Sequence, residues 1–274
     1  SCWNWRSADG PPLFLRETEG RWRGLDAAGS AVQSLAMSDT SKSTFDPNPP
    51  RRNFYGRRHG KTLRQSQKGY LSEDLGELRP RGITVGDNPD RRPIDPAAIF
   101  GDDRPIWLEV GFGGGEHMVH MAARYPDIGI IGCEPFINGV AMLLGKIRNA
   151  GVSNVSVHPG DARDLMDVLP DASISRAFLN YPDPWPKARH HRRRFVTPEH
   201  LIPLARVMKP GAEFRVATDI PDYMRQTLEE VPQAGFDLVG DSPVAWDDWL
   251  STRYEQKALR EGRVPHYATF RRKG

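Results

Sequence analysis

From Pro105 onward, short apolar runs alternate with segments of helical spacing, and this alternation restricts the fold more than any other feature of the 274 residues. "IWLEV" (Ile106–Val110) meets glycines at once, the pattern of a buried strand entering a tight turn. "EHMVHMAARY" (116–125) has helical spacing, "IGIIGCE" (128–134) is a second strand, and "INGVAMLLGKIRNAG" (137–151) is a helix closed by a glycine. "NVSVH" (154–158), "ARDLMDVL" (162–169), "ISRAFLN" (174–180), "PEHLIPLARVM" (198–208, closed by "KPG"), "AEFRVAT" (212–218) and "YMRQTLEEV" (223–231) continue it. The pattern predicts an α/β fold with a mostly parallel sheet and helices on both faces. "VPHYATFRR" (264–272) alternates and is expected to pair antiparallel with "GFDLV" (235–239).

Three segments are expected. Residues 1–36 read as a non-native or disordered upstream extension, because Met37 opens a Ser-, Asp- and Pro-rich stretch typical of a natural start. Residues 37–100 read as a basic, partly disordered arm, in which "RRNFYGRRHGKTLRQSQKGYL" (51–71) interleaves cations with Phe54, Tyr55 and Tyr70. That mixture suits either phosphate holding and base stacking or a solvated tail. Residues 101–274 form the α/β domain. Formal net charge is only +3, so nucleic-acid binding has to come from local clustering. Two cysteines, Cys2 and Cys133, are too few for a disulfide framework and point to a reducing, cytoplasmic setting. No apolar run reaches the roughly 18 residues of a membrane span.

In such a sheet, ligands bind beyond the carboxyl ends of the strands. "EVGFGGGE" (109–116) follows the first strand, with Gly111, Gly113 and Gly115 allowing close backbone approach. It fits neither the nicotinamide-cofactor fingerprint nor a P-loop. Glu109, two residues ahead of the glycines, disfavours a pyrophosphate and suits a ligand with a cationic end. Glu134 closes the second strand, where a carboxylate accepts from ribose hydroxyls. Asp161 follows the third in "HPGDA", placed to read an adenine amino group or to cap a helix. Three acids at successive strand ends beside a glycine loop describe an S-adenosylmethionine site.

After the fourth strand stands "NYPDPWPKARHHRRR" (180–194), after the fifth Asp219, and later "TRYE" (252–255). With the glycine loop and the spaced acids, these resemble the bacterial tRNA (guanine-N7-)-methyltransferase family over roughly Asn53 to Lys273. The resemblance implies a Rossmann-like, seven-stranded class I methyltransferase sheet with an antiparallel last strand. It implies methyl transfer from S-adenosylmethionine to N7 of a guanine in tRNA, at position 46 of the variable loop. It gives Asp183 the active-site role, facing both methyl donor and guanine, read here as positioning and electrostatic. It makes Lys187, Asp219, Thr252, Arg253, Tyr254 and Glu255 substrate contacts, with an Arg253 ion pair to Glu255 or Asp219 as the plainer option. Arg189, His190, His191, Arg192, Arg193 and Arg194 read as a phosphate-gripping run. Trp185 is expected to pack beneath its loop, with stacking on a base as the other option. His117 and His120 read as surface or packing residues. No metal is expected, since His190 and His191 lack a third ligand. A monomer is expected, with tRNA as partner. Two other readings stand beside this one: a methyltransferase acting on another RNA, and a non-catalytic RNA-binding subunit.

Overall fold

The computed structural model describes residues 53–274. The expectations for 1–36 and for the start of the basic arm lie outside those residues. In chain order the elements are α1 (Gln65–Glu73), α2 (Leu75–Leu78), α3 (Ala97–Phe100), β1 (Ile106–Val110), α4 (Glu116–Arg124), β2 (Gly129–Cys133), α5 (Ile137–Ala150), β3 (Val155–His158), α6 (Ala162–Val168), β4 (Ile174–Asn180), a 3-10 turn (Ala188–Arg193), α7 (Pro198–Val207), β5 (Met208–Thr218), α8 (Pro221–Gln233), β6 (Phe236–Ser242), α9 (Arg253–Arg260) and β7 (His266–Arg272).

The seven strands form one sheet in the order β3-β2-β1-β4-β5-β7-β6. The first five run parallel, and β7 is antiparallel to both β5 and β6. The alternation therefore reads out as expected, including the β6–β7 pairing. "KPG" differs from expectation. It does not follow the helix as a separate turn but lies within β5, bulging between Met208, paired with Ile174, and Glu213, paired with Arg176.

Successive residues of β1 enter opposite layers, as strand geometry requires. Ile106, Leu108 and Val110 join one buried cluster with α6, α7 and α8; Trp107 joins another with α4 and α5. Helices thus cover both faces. Asn154, buried just before β3, donates its amide to the carbonyls of Ala122, Tyr125 and Ile128 at 2.8–3.1 Å, closing the turn between α4 and β2.

The described part of the expected arm is more ordered than its composition implied. Tyr70, Leu71, Leu75 and Leu78 pack against the α4–α5 cluster, and Ile83 is fully buried in the other. Arg148 of α5 pairs with Glu73 and Asp74 at 2.6–2.7 Å. The aromatic and aliphatic residues between the charges supply the buried face that the charge pattern concealed. Among the described residues, no helix is long and apolar enough to cross a membrane.

Asn154→Ala removes the amide shared by the Ala122, Tyr125 and Ile128 carbonyls and is expected to cost about 1–3 kcal/mol. Urea unfolding should show a lower midpoint with an unchanged slope.

Candidate active site

The carboxyl ends of β1 to β4 open onto a cleft of about 750 Å³ lined by Gly111, Gly113, Glu134, Asp161, Asp183 and Tyr254, among others. Gly111, Gly113 and Gly115 all have positive φ (68°, 57° and 77°), a conformation that favours glycine. Glu134 fastens this loop: its Oε2 accepts from the Gly113 amide at 2.8 Å and its Oε1 from Phe136 at 2.9 Å. A side chain at Gly139, in the first turn of α5, would collide with the Gly113 carbonyl oxygen. Burial raises the Glu134 pKa above the ordinary glutamate value, and the nearby Asp183 charge adds to this against the two amide bonds.

Asp161 both lines the cleft and caps α6, accepting from the Arg163 amide at 2.9 Å and from its guanidinium. Burial acts to raise its pKa, but the Arg163 hydrogen bonds and charge outweigh this and leave it lowered. Asp183 stands in the loop after β4. That residue is exposed at the cleft mouth, yet crowding of its carboxyl by the cleft wall raises its pKa, with Arg57 opposing. Tyr181 and Trp185 on either side have positive φ (49° and 41°).

Glu109 departs from expectation. It is buried, lies outside the cleft lining and accepts from or shares a proton with His117 Nδ1 at 2.7 Å. The reason is strand alternation: Glu109 shares its face with Trp107, where α4 presents His117. His117 is accordingly a buried partner, also 3.2 Å from the Asn180 amide.

The basic run divides. Lys187, Arg189 and Arg192 are exposed, and His190 and His191 are half-buried. Desolvation and the neighbouring cations lower the His190 pKa. His191 Nε2 lies 3.3 Å from Asp222. Arg194 corrects the phosphate reading, because its side chain has 0% exposure. It donates to the Pro184 carbonyl at 2.9 Å, to Asp222 at 2.9 Å and to Gln226 at 3.0 Å. It therefore fixes the Asp183 loop to α8 and is closed to a solvent-borne phosphate.

The later cluster divides as well. Thr252 caps α9, which the sequence reading did not foresee, accepting from the Glu255 amide at 3.3 Å. Glu255 is buried and accepts from Trp249 Nε1 at 2.7 Å and from the Tyr267 hydroxyl. Asp219 pairs with Arg263 at 2.5 Å and is absent from the cleft lining. Arg253 therefore forms neither expected ion pair; its guanidinium lies near Met142 Sδ and over Tyr254. Tyr254 alone of this cluster lines the cleft, its ring facing Gly113. Buried Glu255 and paired Asp219 are not open to a base in this arrangement. Tyr55, one of the aromatics interleaved with cations in 51–71, lines the cleft, and so does Arg57, which the pattern marked only as one cation of that run.

A glycine loop, an acid at the end of the second strand and an aspartate loop at the carboxyl edge of a seven-stranded sheet define a class I methyltransferase. Residues 103–268 match a family model described as "Putative methyltransferase". The chain is 89% identical over 231 residues to the tRNA (guanine-N(7)-)-methyltransferase of Paracoccus denitrificans (strain Pd 1222), covering 84% of this chain and 99% of that one. It is 79% identical to the protein of the same name from Cereibacter sphaeroides (82% and 93% covered) and 45% identical to that of Brucella melitensis biotype 1 (84% and 100%). The chain belongs to the tRNA (guanine-N(7)-)-methyltransferase family.

S-adenosylmethionine is the methyl donor of this class. The bare backbone at Gly111 and Gly113 and the cleft-facing Glu134 suit it. Donor binding to ionised Glu134 has to expel a proton below the raised pKa. Donor affinity is thus expected to fall on acidification through a value above the ordinary 4.5, and Glu134→Gln should flatten that dependence in calorimetric titration. Arg194→Ala is expected to lose roughly 1–3 kcal/mol of stability, read by urea unfolding.

Proposed function

We propose that this chain transfers a methyl group from S-adenosylmethionine to N7 of a guanine in tRNA, at position 46 of the variable loop. The observation that carries this reading is Asp183, held on a proline-rich loop in the same cleft as Glu134 and the glycine loop. The names of the relatives support the substrate.

S-adenosylmethionine supplies an electrophilic methyl on a sulfonium. Guanine N7 already carries a lone pair, so no strong base is required of the protein. N7 gains the methyl, the carbon–sulfur bond breaks, and S-adenosylhomocysteine leaves with the sulfur lone pair. The chain's task is alignment and charge management. Asp183 and Glu134 both line the cleft; burial is the main cause that raises Glu134, and the Asp183 charge adds to it. Asp183 then stands where the charge moving onto the base has a partner. Prolines 182, 184 and 186 limit what the loop has to lose on ordering. The exposed Lys187, Arg189 and Arg192 extend from that loop as the surface that holds tRNA phosphate. A tRNA substrate places the reaction in the cytoplasm, and a monomer is the expected state.

Radiolabelled methyl transfer to bulk tRNA, followed by nucleoside analysis, tests the reading. The product should be 7-methylguanosine; label at another atom overturns it. Asp183→Ala should lower turnover by at least about a hundredfold, the scale of one preorganised electrostatic group, while donor affinity changes little.

A further inference from the structure

At the mouth of the cleft, the Arg193 guanidinium lies 4.6 Å from the ring centre of Tyr55 and 5.0 Å from that of Trp185. The two aromatics come from segments far apart in sequence, one ahead of α1 and the other in the Asp183 loop. All three residues line the cleft, as does Asp183. The Tyr55 segment is tied across the opening. The Asn53 carbonyl accepts from Arg163 at 3.1 Å, the Arg58 carbonyl from the Ile137 amide at 3.0 Å, and Asn138 exchanges bonds with Gly60 and Lys61 at 2.8 and 2.7 Å. Arg193 Nε is buried without a hydrogen-bond partner, so the stack holds the cation at the cost of one donor. Trp185 has a positive φ, and Tyr55 keeps 39% of its surface exposed.

A guanidinium is flat and delocalised and occupies the same kind of space against an aromatic face as a nucleobase. It also carries donors that prefer a phosphate to an unpaired burial.

We propose that Tyr55 and Trp185 form the slot for the target base, and that Arg193 fills it in the free protein. This rests on the methylation reading above. When tRNA binds, the guanine lies against the aromatic faces with N7 turned toward the donor end of the cleft. Arg193 moves out to the backbone beside Arg192. The exchange pairs the unsatisfied Arg193 donor and stacks a base that has left its own neighbours. Base stacking of this kind is worth about 1–3 kcal/mol, or roughly 5- to 150-fold.

Tyr55→Ala and Tyr55→Phe enzymes, assayed beside wild type on tRNA, test the slot. Tyr55→Ala should lower kcat/KM for tRNA roughly 5- to 150-fold, and Tyr55→Phe should stay within about twofold of wild type. Donor affinity and the salt slope of tRNA binding should match wild type in both, because no phosphate contact is removed. Wild-type kcat/KM in Tyr55→Ala overturns the slot. A loss confined to donor affinity, or a changed salt slope, overturns it as well. If wild type itself yields no 7-methylguanosine, the methylation reading fails first, independently of the variants.

Discussion

The position of the Asp183 loop depends on one buried guanidinium. Three prolines in 180–186 remove backbone donors, and two residues flanking Asp183 take left-handed conformations that cost of order 1–3 kcal/mol each. A segment of that kind does not hold its shape alone. Arg194 supplies the missing donors from below, binding the Pro184 carbonyl on one side and Asp222 and Gln226 of α8 on the other. The charge is tolerated because oxygens surround it and its carboxylate partner is half in water. The loop is thus anchored to the helix after β5, while its tip reaches the cleft over β1 and β4.

The cleft is equally a matter of unequal acids. Asp161 is stabilised in its charged form by Arg163, whereas Glu134 and Asp183 are both pushed toward protonation, chiefly by desolvation. Two carboxyls raised in one cleft favour a ligand that brings positive charge. The acid that the linear pattern placed first, Glu109, contributes differently. Its pairing with His117 braces β1 against α4 behind the glycine loop.

The alternation made most of the fold legible, because buried parallel strands and their helices leave strong periodic signals. The β6–β7 pairing and the glycine after α5 were readable for the same reason. Glu109 and Arg194 were misplaced because residue type and spacing carry no information about the partner. For Glu109 the partner is a helix packed on one face of the strand; for Arg194 it is Asp222, twenty-eight positions away. Helix α9 was hidden because its few buried positions, Glu255 and Ala258, do not form an apolar stripe. Residues 53–100 looked solvated because their anchoring residues are scattered among charges.

The contact between Gly139 and the Gly113 carbonyl has a consequence for how the donor cleft is shaped. Main chain meets main chain there, with no side chain intervening. No rotamer has to be frozen when a ligand arrives, so that part of the cradle carries no side-chain entropy cost of ordering. The same closeness makes the two positions interdependent. Volume added at 139 is transmitted directly to the φ-restricted loop, and only a compensating shift of the whole first turn of α5 accommodates it.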